Sequence, residues 1–448
     1  MRTFLLRNAL LALMTGLLLS CGCAGSGDAG MARVSGPGAA AQWPAGGPGS
    51  SNAGDGSAGG GNGVGGIAAD DGGTTTASGG GGDDSSGVGS GGTGVSTADA
   101  SGVGAVDGAG SIFVNGLRYD TKTAIGHLED AENGIQLGMS VKVTGPVNAD
   151  FTRGIARQVE SAADLRGPVE SVNVPAGSFV IFGTTVTTDE ATVWADAPGL
   201  AAIATGRTLQ VWGLPAGPGV LRATRVEQRG PSAPILTGTV QKLDTAQRRF
   251  MLGNFVVDYS GAALDASPDG RPLADGALVR VRGNATAGAS LVATQVQWWY
   301  PLPNTEAAIA QFAGVVTDFA GLGSMRVLGV PADASQAPVT GGPAGAVANG
   351  VKVEVGGVVA GGVLRASKLK IRNVPGTGGP ASFHLIGAVG NFQSLSDIRL
   401  MGQAVNAGRP GVVFVNGRRQ NPAPGVRVDI RGAQVVNGVL LAQTVTFE

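Results

Sequence analysis

One eight-residue pattern recurs five times and limits this chain to folds that can be built from a repeated unit: Gly, any two residues, Val or Leu, any residue, Val or Ile, any residue, Gly. The copies read Gly138-Met-Ser-Val141-Lys-Val143-Thr-Gly145, Gly206-Arg-Thr-Leu209-Gln-Val211-Trp-Gly213, Gly276-Ala-Leu-Val279-Arg-Val281-Arg-Gly283, Gly350-Val-Lys-Val353-Glu-Val355-Gly-Gly357 and Gly425-Val-Arg-Val428-Asp-Ile430-Arg-Gly432. Successive copies start 68, 70, 74 and 75 residues apart. Self-similarity at a fixed period marks a folding unit and not a short motif.

Each copy has matching flanks. Upstream stands a Gly-x-Val strand start, at Gly104/Val106, Gly167/Val169, Gly238/Val240, Gly314/Val316 and Gly387/Val389. Downstream comes Leu-x-Ala-x-x-aliphatic, as in Leu221/Ala223/Val226 and Leu364/Ala366/Leu369; the first copy has Gly154 in place of the Leu. Between them an alternating segment ends in Gly, for example Ile112-Phe-Val114-Asn-Gly116, with Asn254 at that position in the third copy. Asn254 is expected to take a positive φ there, which Asn tolerates.

Period-two alternation bounded by Gly is the pattern of half-buried antiparallel strands. Composition agrees: 79 of 448 residues are Gly, while aromatic residues make up 5%. Gly is costly inside helices, whereas Val packs well on a pleated surface. The expected fold class is all-β, a tandem of small antiparallel β-barrels, OB-like, with about five strands each. The longest gap falls between the third and fourth strands, as in a Greek-key barrel of that kind; a simple meander barrel stays open. The barrels are expected at 101–161, 165–229, 235–299, 311–373 and 384–448.

The opening Gly102-Val-Gly-Ala-Val-Asp-Gly-Ala-Gly-Ser-Ile-Phe-Val-Asn-Gly-Leu-Arg-Tyr-Asp-Thr, with the strand pair ending in Ala-x-x-aliphatic, resembles the bacterial domain of unknown function DUF5666. The resemblance covers 101–448 in five copies. It implies this architecture and an exported, often lipid-anchored setting, and it assigns no functional residue.

The N-terminus supplies its own address. Arg2 and Arg7 precede the apolar run Ala9–Leu19, the layout of a secretory signal peptide, expected over 1–20. Leu18-Leu19-Ser20-Cys21 resembles the lipobox of bacterial lipoproteins, which implies that Cys21 is acylated and becomes the mature N-terminus; Cys23 has Ser20, not an aliphatic residue, three places before it. Gly22 in place of Asp implies the outer membrane by the same resemblance. Several acyl chains on one cysteine anchor a protein firmly where one chain does not. The segment 21–100 is dominated by Gly, Ser, Ala, Thr and Asp, and reads as a disordered stalk. Residues 24–100 hold seven Asp against one Arg, a net charge of −6.

The remaining body is close to neutral, so a nucleic-acid partner is not expected. Both cysteines precede it, which excludes disulfides and cysteine metal sites there. Only two histidines occur, His127 and His384, in different repeats. No nucleophile elbow, zincin helix or dinucleotide fingerprint is present. Neither a cofactor nor a metal is expected. The carboxylates Glu129, Asp130, Glu132, Asp189 and Glu190 fall in connectors and read as solvated loop residues. The one aromatic concentration, Trp298-Trp299-Tyr300, is the candidate ligand platform, because OB barrels bind sugars and single strands through such rings; packing against a neighbouring repeat is the simpler use.

The sequence thus points to a non-enzymatic cell-envelope lipoprotein, its barrels set in a rod or arc, acting as a binding, spacer or scaffold protein. Its expected partners are the membrane, through the lipid, and an envelope protein or glycan. The alternative is a carbohydrate-active or metal-dependent envelope enzyme with a site between repeats. An acidic and histidine cluster at one repeat junction would favour that alternative.

Overall fold

A computed structural model describes residues 95–267, 270–286, 289–372, 382–419 and 422–448. The signal peptide, Cys21, Cys23 and the stalk as far as residue 94 lie outside the described residues. The described chain is all-β, its only helical pieces being the 3-10 turns Leu200–Ala202 and Ala344–Ala346.

Copy four shows the unit most plainly. Its first strand, Ile309–Gly321, pairs antiparallel with Ser324–Val327, which pairs with Val330–Asp333. The third strand then lies parallel to the fifth, Val363–Ile371, and the fifth pairs with the fourth, Lys352–Ala360. The fourth returns to the first and closes the barrel. The order one-two-three-five-four-one is a Greek key and rules out the meander. The long connector also contributes a short strand, Val339–Thr340, that runs parallel to the far end of the fifth strand. Copies three to five therefore have six strand pieces on five positions, copies one and two seven because one strand is broken in each, and the same pairings recur throughout.

The repeated glycines now acquire separate reasons. The opening glycines, Gly138, Gly206, Gly276, Gly350 and Gly425, have φ between +80° and +88°. In every copy that glycine's N–H donates to the carbonyl of the Gly-x-Val valine, whose own N–H donates to the residue after the glycine. The two most regular motifs of the sequence are two halves of one clasp joining the first and fourth strands. The closing glycines sit where the fourth strand bulges against the fifth, as at Gly213, Gly283, Gly357 and Gly432. A bulge brings two backbones close, and a Cβ on Gly357 would lie 2.0 Å from the Arg365 carbonyl oxygen.

Between the second and third strands lies a two-residue turn with both residues left-handed, as in Asn115-Gly116, Phe182-Gly183, Leu328-Gly329 and Met401-Gly402. In copy three Gly253 takes the positive φ and Asn254 does not, contrary to the sequence expectation. The order of the two residues decides this, because Gly occupies the first position there.

The barrels do not pack against their sequence neighbours alone. The first strand of copy one, Val95–Ala109, lies parallel to copy four at Ala100–Val103 against Ile309–Phe312, and parallel to copy five at Gly108–Ala109 against His384–Leu385. It starts at Val95, inside the stretch expected to be stalk, because its early residues continue the ladder to Asn148 through backbone hydrogen bonds that need no apolar side chain. Copies two and three join where Leu165–Arg166 pairs with Ile235–Leu236. In a simple solenoid each repeat touches only its sequence neighbours. Here the cores themselves merge: copies one and five share one cluster, with Trp212 of copy two inserted, and copies two and three share another.

Ionic groups are buried where copies one and four meet. Arg372 contacts Glu354 and lies 3.6 Å from Asp107, and Lys352 is 4% exposed beside them. Burial pushes the Asp107 carboxyl up, although Arg372 pulls it down. Burial, with Arg372 nearby, pushes Lys352 down from 10.5 to about 7. The unfolded chain then takes up this proton first as pH falls, so Lys352 costs stability progressively between pH 10.5 and pH 7, and fully below. Lys352→Met should remove that cost. Urea unfolding should show the largest gain over the natural chain below pH 7, narrowing toward pH 10.5; a difference independent of pH would contradict the assignment.

Candidate functional site

The junction of copies one, two and three is organised by Asp164, a connector residue that the sequence did not single out. Its side chain is 0% exposed. One carboxylate oxygen accepts from Ser140 Oγ at 2.6 Å and the Gly213 N–H at 2.7 Å; the other accepts from Arg280 Nη2 at 2.8 Å and Trp299 Nε1 at 2.7 Å. Ser140 belongs to copy one, Gly213 to copy two, and Arg280 and Trp299 to copy three. A buried carboxylate is tolerable when it is paired and its lone pairs are filled. This one meets both conditions with donors from three barrels.

That arrangement explains two of the three candidate aromatics. Trp299 and Tyr300 are each 4% exposed. The Tyr300 hydroxyl accepts from the Ala162 N–H at 3.0 Å and donates to the Ser140 carbonyl at 3.0 Å, with Arg280 4.9 Å from its ring centre. Burial pushes its phenol up, which keeps the proton needed for that donation. These two rings pack between repeats, Tyr300 with an edge at the floor of a polar cleft.

Trp298 behaves differently. Neighbours on one strand point to opposite sides, and Trp298 is left half-buried where three cavities meet. The largest, about 960 Å³, is a groove whose apolar walls include Pro215, Pro218, Leu302, Leu328 and Pro331. A second, about 350 Å³, lies under the connector of copy three, beside Leu264 and Arg271. The third, about 310 Å³, is a polar cleft where His127, Glu129 and Glu160 of copy one face Asp265, Gln297 and Trp298 of copy three.

Hydrogen bonds already orient much of this cleft. Glu129 lies 2.6 Å from Arg282 and accepts from Gln297 Nε2 at 3.4 Å. Glu160 accepts from Gln158 at 3.0 Å, and Asp265 accepts from Gln295 at 3.3 Å. Gln297 Oε1, by contrast, is buried without a hydrogen-bond partner.

The remaining sequence candidates are dispersed. Asp130 is not a solvated loop residue: its side chain, 10% exposed, binds Arg166 and accepts from Arg282 at 2.7 Å. Burial raises its pKa, but these guanidiniums outweigh that and hold the carboxyl below its usual range. The connector folds over the copy two and three junction and carries Asp130 inward. Glu132 stays in solvent, 3.4 Å from Arg229. Asp189 caps its own turn through the Ala191 N–H, and Glu190 is exposed. His384 Nε2 lies 2.7 Å from Asp429 Oδ1, with its ring against Phe113, far in sequence from His127. Among the described residues no group of three His, Cys, Asp or Glu side chains is placed to hold a metal.

Residues 166–227 and 313–370 match the family profile of a domain of unknown function, DUF5666. These segments are barrels two and four, so two of the five repeats are similar to that domain. No curated protein matches the chain.

Proposed function

We propose that this chain is a non-enzymatic, lipid-anchored protein of the bacterial cell envelope that binds a neutral saccharide chain in the cleft beside Trp298. The observation that carries this reading is the half-buried Trp298 standing beside Gln297 and the carboxylates of Glu129, Glu160 and Asp265 in one cleft. Sugars present hydroxyl donors on their edges and apolar C–H faces above and below. The cleft offers acceptors and a ring in matching positions. OB barrels bind oligosaccharides with such surfaces, and three barrels locked around Asp164 hold this one rigid.

Isothermal titration calorimetry with soluble glycan strands released from the cell wall tests the site. Trp298→Ala should weaken binding by about tenfold or more, the loss of one stacking contact of roughly 1–3 kcal/mol. Gln297→Leu should weaken it while leaving the circular dichroism spectrum unchanged. Unaltered affinity in both variants would remove the site from consideration. The anchor rests on the leader sequence. A palmitate analogue fed to cells should label the natural chain and a Cys23→Ala variant but not Cys21→Ala, which should leave the membrane fraction.

A carbohydrate-active enzyme is the second reading, and one observation favours it: His127 and three carboxylates do converge at the junction of copies one and three. Glycoside hydrolysis needs a pair of carboxyl groups, one of them in a dry surrounding that keeps it protonated. Glu129 and Asp265 are both exposed to solvent, which supports binding over hydrolysis. Release of reducing ends from the same glycan strands, lost in Glu129→Gln or Glu160→Gln, would reverse that preference.

A further inference from the structure

The short strand in the connector leaves one barrel edge open, and the molecule itself shows how such an edge is used. In copy two that strand is Val193–Trp194, paired on one side with the fifth strand. On its outer side the hairpin tip of copy five docks by backbone: the Gly438 N–H donates to the Trp194 carbonyl at 2.9 Å and the Asn437 N–H to the Ala197 carbonyl at 3.1 Å. The fit is close, since a Cβ on Gly438 would lie 2.7 Å from the Ala195 carbonyl oxygen. An edge of this kind accepts a foreign backbone.

The equivalent strand of copy five is Val413–Val415, which among the described residues pairs only with the fifth strand, at Thr444–Thr446. Its outward valines are 54% and 38% exposed. Natural sheets protect such edges with charge, proline or a covering segment, and Val-Phe-Val has none of these. The surroundings are basic. Between Asp397 and Asp429 the chain carries Arg399, Arg409, Arg418, Arg419 and Arg427 and no carboxylate, and of these Arg427 is paired with Glu448 at 2.9 Å. Arg419 donates to the Arg409 carbonyl at 3.1 Å and covers Phe414 at 5.5 Å, which ties the flanking loops to the strand.

We infer that Val413–Val415 is a docking edge for an extended acidic polypeptide segment of a partner protein, which adds to barrel five as a further strand. Backbone pairing supplies the adhesion, the valines accept alternate apolar side chains, and the arginine rim selects acidic flanks. A second copy of this chain is the poorer occupant, because its own arginine rim would face this one. The edge belongs to copy five, whereas the polar cleft beside Trp298 is built from copies one and three, so either can fail without the other.

The test is fluorescence anisotropy of the full chain with a labelled peptide of alternating Glu and Val. Binding should fall about tenfold or more when the peptide's pairing amides are N-methylated, since each lost hydrogen bond costs on the order of 1 kcal/mol. It should also fall in Arg409→Ala/Arg419→Ala. Val413→Pro provides a second variant: its circular dichroism should match the natural chain and its peptide binding should be lost. Equal binding of the N-methylated peptide would reduce the contact to charge alone and overturn the proposal. Absence of peptide binding, or binding only to phosphatidylglycerol vesicles, would overturn it as well, the latter in favour of a membrane surface.

Discussion

Asp164→Ala is expected to destabilise the folded body by about 3–5 kcal/mol, the usual cost of leaving one charge of a buried pair without its partner. The substitution strands Arg280, which is 4% exposed, and removes the acceptor of Trp299 Nε1, Ser140 Oγ and the Gly213 N–H together. Urea unfolding followed by tryptophan fluorescence should show the loss, because Trp299 reports from the junction itself. If the cost is that of the stranded cation, Arg280→Met in the same chain should recover a large part of it, a coupling that a double-mutant cycle isolates. Glu132→Ala is the control: its side chain is 78% exposed opposite Arg229, and such surface pairs contribute at most about 1 kcal/mol. Equal effects of the two alanine substitutions would mean that Asp164 does not hold the barrels together.

Gly357→Ala should be among the most damaging single methyls that can be added to barrel four. The new Cβ would lie 2.0 Å from the Arg365 carbonyl oxygen and 2.8 Å from the Ala366 Cα. Both obstacles are backbone atoms of the paired strand, so no rotamer change relieves them, and the fourth and fifth strands must separate. Overpacking usually costs about 1–3 kcal/mol, and an unyielding neighbour places this case at or beyond the upper end. Gly350→Ala, seven residues earlier in the same motif, should cost less. Nothing lies within 4 Å of its Cβ position, so the penalty is that of holding Ala at φ +86°, roughly 1–2 kcal/mol. Thermal unfolding of the two variants should keep that order, and the pairs Gly276/Gly283 and Gly425/Gly432 should repeat it. A reversed order would mean that the closing glycine is not required by the bulge.

The same glycines show how far the sequence reached. Gly138, Gly206, Gly276, Gly350 and Gly425 could be aligned by eye because each answers a local demand, a left-handed turn followed by a clasp to the valine of the first strand. Trp298-Trp299-Tyr300 was visible as a cluster, but its use was not, because alternation along the strand sends Trp299 into the Asp164 junction and leaves Trp298 in the cleft. His127, Glu129, Glu160 and Asp265 could not be grouped beforehand. They come from copies one and three, and their meeting depends on how those barrels pack.

What the sequence determined by itself was the unit: its repeat length and its all-β character, properties fixed by periodicity, turn chemistry and composition within some seventy residues. What only the tertiary structure decided was the assembly of the units. The interfaces are made by residues that look like surface residues one at a time, namely Asp107, Asp130, Asp164, Arg280, Lys352 and Arg372, and by open strand edges whose hydrogen bonds leave no mark on side-chain identity. A charge reads as solvated until its partner is known, and Asp107, Asp130 and Asp164 find theirs in another barrel.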